Sequence, residues 1–202
     1  MGGVRAVVVA APAAVNTVNK FKGRAQLLLL AALFAAPLVA VYWWTPGGSV
    51  NHGALIEPPA PLPALTLYTL EGAPRPLAEV RGKWTLVLVQ RGPCAEVCRR
   101  NLYNARQVRL AQGRNARRVR VLLLAAGADS VPPAEVMREH PQTEVWTADA
   151  PAMAQLAPLF SPRGDVYLVD PLGNLMMQFD SAMNPSLMRK DLARLLRVSS
   201  AG

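Results

Sequence analysis

The chain has 202 residues, of which 51% are hydrophobic, and its formal net charge at pH 7 is +9. It contains only two histidines, His52 and His140, which lie far apart in the sequence and so argue against a Ser-His-Asp hydrolase. The sequence has no phosphate-binding glycine loop, no His-Glu-x-x-His motif and no Gly-x-Ser-x-Gly motif. Nucleotide chemistry and hydrolysis are therefore poor candidates.

Residues 27–44 are an uncharged, apolar stretch that predicts one transmembrane helix. At a rise of about 1.5 Å per residue, this stretch nearly crosses a hydrocarbon core of about 30 Å. Residues 1–26 carry basic side chains and no acid, which predicts a cytoplasmic N-terminal segment and an inner-membrane protein. A cleaved signal peptide is the alternative, and it is disfavoured because no small-x-small cleavage site follows the apolar stretch.

Residues 45–63 are rich in proline and glycine and predict an extended linker without a helix or a central strand. His52 lies in this linker, where a lone histidine is expected to be solvated. The remaining residues, 64–202, are enough for one domain with its own hydrophobic core. With the N-terminus inside, this domain faces the periplasm, where a disulfide can persist.

The domain alternates predicted strands and helices. The strands are expected at 65–69, 84–89, 119–125, 143–146, 165–169 and 175–179, and the helices at 93–112, 132–140, 151–157 and 185–197. Residues 170–174 contain Asp, Pro, Gly and Asn and predict a hairpin turn between the last two strands. This order predicts an α/β fold, with a mixed sheet flanked by helices.

Positive charge is concentrated in residues 91–120, which hold nine arginines and a single acid, Glu96. One interpretation is a surface that docks to an acidic partner or to anionic lipid headgroups. The other, slightly preferred, is a solvated helix face in an arginine-rich chain. Nucleic acid is not an expected partner, because a membrane-tethered domain on the outer side would not meet it.

Cys94 and Cys98 are the only cysteines, and they lie where the predicted strand 84–89 meets the predicted helix 93–112. Four residues of helix place both sulfur atoms on one face, about 6 Å apart along the axis. That separation suits either a disulfide or a shared soft metal ion. A purely structural disulfide is a poor explanation, because so short a loop constrains the unfolded chain little.

The predicted helix start also activates the thiols. A cysteine in the first turn is stabilised as a thiolate by the helix dipole, and Arg91 and Arg99 add positive potential. Cys94 is therefore the predicted nucleophile, and Cys98 is the predicted resolving thiol.

Several segments carry a resemblance to a known family. They are the proline-rich tether, the Leu-Tyr-Thr-Leu-Glu-Gly run at 67–72, the segment 77–84, the Cys-x3-Cys pair and the hairpin at 166–174. In this order they resemble the thioredoxin-like Sco/SenC family over roughly residues 60–197. The resemblance implies a thioredoxin-like fold on a membrane anchor. It also implies a role in assembling the copper site of cytochrome c oxidase, with copper bound by both cysteines and a histidine, or with the oxidase's cysteines reduced.

The chain departs from the family at the histidine, which in relatives lies eight residues before the aspartate of the hairpin. Here that position is Pro162. Two thiolates alone can hold Cu(I), whereas Cu(II) requires nitrogen or oxygen donors as well. Thioredoxin folds commonly place a cis-proline opposite the active cysteine. We hypothesise that Pro162 is that proline.

The predicted function is that of a membrane-anchored Sco/SenC-like protein that assists cytochrome c oxidase assembly. It would act through Cys94 and Cys98, by Cu(I) delivery or by thiol reduction. The alternatives are a thiol-disulfide oxidoreductase without a metal and a non-catalytic, membrane-tethered binding module. The expected partners are the membrane and the oxidase's copper-binding subunit or another acidic protein client.

Overall fold

The computed structural model describes residues 20–43 and 51–200, which belong to two separate units. The first unit contains helix α1 (Lys20–Trp43), with Pro37 inside it. In the described ranges, no helix combines the length and the apolarity that crossing a membrane requires. The predicted anchor at 27–44 lies largely on α1, but its last residue, most of the predicted segment 1–26 and residues 45–50 of the predicted linker lie outside the described residues.

The second unit is built on a mixed sheet, which has eight strands within residues 51–200. The strands are β1 (Ala54–Pro61), β2 (Thr66–Thr69), β3 (Pro74–Pro76), β4 (Trp84–Gln90), β5 (Val119–Ala125), β6 (Thr143–Thr147), β7 (Val166–Val169) and β8 (Asn174–Phe179). The helices are α2 (Glu96–Leu110), α3 (Ala134–Glu139), α4 (Ala150–Leu156) and α5 (Pro185–Val198). The strand order is β1-β8-β7-β4-β5-β6-β2-β3.

The central strands are buried on both faces, as their continuous apolar sequences predict. β4 pairs parallel to β5 and β5 parallel to β6, whereas β4 pairs antiparallel to β7 and β7 antiparallel to β8. Because side chains alternate along a strand, Leu86 and Leu88 point to the face covered by α2 and α5, and Val87 and Val89 to the face covered by α4. The predicted α/β fold, with a mixed sheet flanked by helices, is confirmed.

Strand β1 corrects the linker prediction. Residues 54–61, within the proposed linker 45–63, pair antiparallel with β8 in two short stretches separated by an irregularity. Proline is tolerated here because β1 is an edge strand, where a missing N–H need not break a ladder on both sides. The linker prediction is therefore wrong for residues 54–61, which belong to the folded domain.

Helix α2 begins later than the sequence predicts. The expected start was residue 93, but the first helical residue is Glu96, and Ala95 is extended at the N-cap position. The first turn closes when the Arg99 N–H donates to the Ala95 carbonyl at 3.1 Å. Cys94 therefore lies before the helix instead of inside its first turn.

Candidate functional site

The two cysteines form a disulfide. Their Sγ atoms are 2.03 Å apart and their Cα atoms 5.2 Å apart. Cys98 lies in the first turn of α2, whereas Cys94 lies in the loop that leads from β4 into the helix. The two sulfurs are brought together, which is one of the two outcomes that their spacing suits, but the predicted place of Cys94 on the helix is wrong, because Cys94 precedes the first helical residue, Glu96.

The loop before Cys94 is held by hydrogen bonds to its own strand and to a neighbouring loop. The Gln90 side-chain amide donates to the carbonyls of Gly92 and Pro93, both at 2.9 Å. The Gly92 N–H donates to the Ser130 hydroxyl at 2.7 Å. Gly92 has a φ of +86°, a region that favours glycine, so this turn depends on that residue. Cys94 is thereby held at a defined place beside the helix.

The N-terminus of α2 has no side-chain cap. Ala95 occupies the N-cap position and cannot accept a hydrogen bond through its side chain. The first N–H groups of a helix have no partner within the helix and carry its positive partial charge. After reduction, these N–H groups favour a thiolate at the adjacent Cys94. The helix start can therefore activate Cys94, although Cys94 is not part of the helix.

The disulfide is mostly covered. Cys94 is 8% exposed and Cys98 is 6% exposed, and both belong to the core cluster beneath α2 and α5. Exchange with a partner therefore requires close approach at this end of the sheet.

A second loop lies against the cysteine loop and contains Pro162. The Arg91 guanidinium donates to the carbonyls of Phe160 and Ser161, both at 3.2 Å. The Ser161 N–H donates to the Tyr167 hydroxyl at 2.5 Å. Burial raises the pKa of Tyr167, so its hydroxyl stays protonated. These contacts, which local sequence patterns do not indicate, fix the loop that contains Pro162.

The cis-proline hypothesis is wrong. The one cis peptide bond in the described residues is Glu57–Pro58, so the bond before Pro162 is trans. Asn101 of α2 donates to the Gly164 carbonyl at 2.6 Å and anchors the other side of this loop.

Neither histidine supplies a third metal ligand next to the cysteines. His52 is exposed to solvent, as predicted, and its ring also contacts Asp191 through Nδ1. His140 is buried between α2 and the end of α3. Among the described residues, no three His, Cys, Asp or Glu side chains are grouped so that they could hold a metal ion. Two thiolates would remain as donors after reduction, a set that suits Cu(I) and not Cu(II).

Solved structures with the same fold include Sco proteins. The copper-bound ScoI of Bradyrhizobium japonicum has a TM-score of 0.54 and 20% identity, and the match covers 67% of this chain and 98% of that one. For apo Sco1 of Thermus thermophilus, the TM-score is 0.58, the identity 16% and the coverage 76% and 99%. The thioredoxin domain of a thiol-disulfide oxidoreductase from Bacteroides vulgatus has a TM-score of 0.53 and 14% identity, with coverage of 70% and 99%.

These matches confirm the resemblance to Sco/SenC proteins at the level of the fold. A comparison with curated protein sequences finds no match. A family described as "Transmembrane-like, thioredoxin-like, C-terminal domain" matches residues 84–199, which is more than half of the chain. The chain therefore belongs to this thioredoxin-like family.

Proposed function

We propose that this protein is a Sco/SenC-like factor that assists assembly of the copper site of cytochrome c oxidase by thiol-disulfide exchange at Cys94 and Cys98. The observation that carries the proposal is the disulfide at the uncapped N-terminus of α2. The fold is similar to that of Sco proteins and to that of a domain named as a thiol-disulfide oxidoreductase.

The exchange requires no metal, because the electrons pass directly between the cysteines and the client disulfide. The Cys94 thiolate attacks one sulfur of a client disulfide, and the other client sulfur leaves as a thiolate. The Cys98 thiolate then attacks the Cys94 sulfur of the mixed disulfide and releases the second client thiolate. The client is reduced by two electrons, and the protein is left with the Cys94–Cys98 disulfide. A dithiol donor must then reduce the protein for another cycle.

Delivery of Cu(I) is the second candidate. The reduced cysteines would present two soft sulfur donors at one place, and Cu(I) accepts low coordination by thiolates. Copper would then be the cargo that is passed to the client.

The cellular setting belongs to the same proposal. It comprises a single-span anchor in the inner membrane, with the N-terminus inside and the domain in the periplasm, and it is supported by the uncharged stretch at 27–44 and the basic residues before it. The client would be the copper-binding subunit of the oxidase or another acidic protein.

A redox titration and an anaerobic Cu(I) titration of the full-length protein test this proposal. We expect a reversible two-electron reaction and reduction of a disulfide-containing client peptide. Both should be lost in the Cys94→Ala/Cys98→Ala variant. That variant should still fold, because so short a disulfide loop contributes only about 2 kcal/mol. Stoichiometric Cu(I) binding that the same variant loses would favour delivery. Absence of both properties would contradict the proposal and leave a non-catalytic binding module.

A further inference from the structure

The arginines of residues 91–120 divide into two groups. Four are bonded into the fold: Arg91, Arg109, Arg118 and Arg120. The other five are exposed, and their side chains form no hydrogen bond or salt bridge with a described residue: Arg99, Arg100, Arg106, Arg114 and Arg117. Fold stability therefore explains the first group and leaves the second unexplained.

Part of the second group lies in one stripe along α2. Arg99, Tyr103, Arg106 and Leu110 are spaced four, three and four residues apart, which places them on one face of the helix. Tyr103 is 55% exposed and Leu110 is 47% exposed. The stripe begins one residue after Cys98 and extends about 16 Å along the helix.

A groove follows this stripe and is called here the α2 groove. Beside the first turns of α2 it is open, has a volume of about 440 Å³ and lies between Glu96, Arg99 and Tyr103 of α2 and Val136 of α3. Its second part, further along α2, is a smaller cavity of about 110 Å³ between Arg106 and Leu110 on one side and Pro141 and Gln142 on the other. His140 lines both parts, which together extend along α2 from Glu96 to Leu110.

His140 is an unusual residue in the wall of this groove. It is only 4% exposed, and its Nδ1 has no hydrogen-bond partner. Burial lowers its pKa, and the positive charge of Arg106 lowers it further, so the ring is neutral at neutral pH. A buried polar atom without a partner is uncommon in folded proteins. The His140 ring lines both parts of the groove, so a bound segment would contact it.

We propose that the α2 groove binds an extended, acidic segment of a client polypeptide next to the Cys94–Cys98 disulfide. Four arginines line the groove, against the two glutamates Glu96 and Glu139. Exposed arginine and tyrosine on one helix face are the residue types enriched at protein interfaces. A polypeptide fits this groove better than a membrane does, because the surface is concave and includes a nearly buried histidine.

In the α2 groove the protein would bind the client on which the proposed exchange acts, so this second proposal rests on the proposed function. Binding in the groove does not require the cysteines to react. The two proposals can therefore be tested separately.

Fluorescence anisotropy with a labelled, cysteine-free, aspartate- and glutamate-rich peptide tests the groove in the full-length protein. The variant Arg99→Glu/Arg106→Glu should weaken binding at least tenfold. The control Arg114→Glu/Arg117→Glu makes the same charge change at exposed arginines outside the groove, and it should change the affinity less than twofold. An equal loss in both variants would overturn the proposal, because it would show attraction to net charge alone. Binding to vesicles of anionic phospholipid without binding to the peptide would also overturn it, in favour of a membrane surface.

The chain's two histidines allow a second measurement. In imidazole NMR spectra, the same peptide should shift the ring signals of His140 and leave those of His52 unchanged. Shifts at neither ring, with binding intact, would place the peptide elsewhere and contradict the groove. Peptide binding in the Cys94→Ala/Cys98→Ala variant should equal that of the wild type. If the wild type bound the peptide but did not exchange with dithiothreitol, the proposed function would fail while the groove would stand.

Discussion

Ala95 occupies the N-cap of α2, a position where most helices carry a side chain that accepts a hydrogen bond. Because alanine cannot accept one, the first N–H groups of the helix remain available to a neighbouring anion. In the reduced protein that anion is the Cys94 thiolate. The absence of a cap therefore lowers the stability of α2 and stabilises the Cys94 thiolate.

Substituting this N-cap should change the reactivity of Cys94. In a Cys98→Ala background, Ala95→Asp places a carboxylate on the free N–H groups and a negative charge beside Cys94, so the thiolate is less stable. If the thiolate form of Cys94 were destabilised by about 1.4 kcal/mol relative to the thiol, the thiolate fraction would fall about tenfold. The rate at which iodoacetamide alkylates Cys94 at pH 7 measures this thiolate fraction. Ala95→Ser, which caps the helix without adding a charge, should lower the alkylation rate less than Ala95→Asp does. Equal rates for the aspartate variant and its parent would contradict this role of the helix start.

The sequence locates the cysteine pair but not the contacts that position it. The pair is visible because its spacing and the strand before it are local features. The bonds from Arg91 to Phe160 and Ser161 join residues about 70 positions apart, and no local pattern indicates them. Arg91 was predicted to add positive potential to the thiols. The structure places it also as a link between the two loops of the site.

At the scale of elements, strand β1 depends on a buried aspartate of α5. The N–H groups of His52 and Gly53 donate to Asp191 Oδ2 at 2.7 and 2.9 Å. The His52 ring contacts Asp191 Oδ1 through Nδ1 at 2.8 Å. The Gly53 backbone lies so close to β8 that a Cβ would come within 2.6 Å of the Phe179 ring. A glycine and a distant carboxylate thus fix where the chain enters the sheet, a feature that a proline-rich sequence conceals.

Asp191→Ala should release this strand. The substitution leaves two backbone N–H groups and an imidazole without their acceptor, and hydrogen bonds to charged groups are worth enough for a loss of about 3 kcal/mol. Urea denaturation measures the free energy of unfolding, and amide exchange should accelerate at Leu55 and Met177, which pair between β1 and β8. The exposed Asp129 provides the control: Asp129→Ala should change stability by less than about 0.5 kcal/mol. Equal effects of the two substitutions would show that Asp191 does not hold β1.

At the scale of the whole molecule, the sequence predicts the layers better than the edges. Continuous apolar strands and amphipathic helices indicate burial directly, so the sheet centre and the helices that flank it are predicted correctly. The edge strands β1 and β3 are missed because proline breaks their pattern, and strand order depends on pairings between distant residues. Helix α2 shows how the layers serve function, because its inner face carries Cys98 and its outer face the arginine stripe.

His140 connects this helix layer to the pH dependence of global stability. In the unfolded chain its pKa is near 6.5, whereas burial and then Arg106 lower the pKa in the fold, with Glu139 opposing them. The unfolded state therefore binds the proton first, and the free energy of unfolding decreases as the pH falls below about 6.5. Urea denaturation measures the free energy of unfolding at pH 7 and at pH 5. Its decrease between the two pH values should be smaller for His140→Gln than for the wild type. In a His52→Gln background, which leaves His140 as the only histidine, the decrease due to His140 should persist. If the free energy of unfolding of His140→Gln decreased as much as that of the wild type, the imidazole would not be buried as a neutral group. Its place in the wall of the α2 groove would then be contradicted as well.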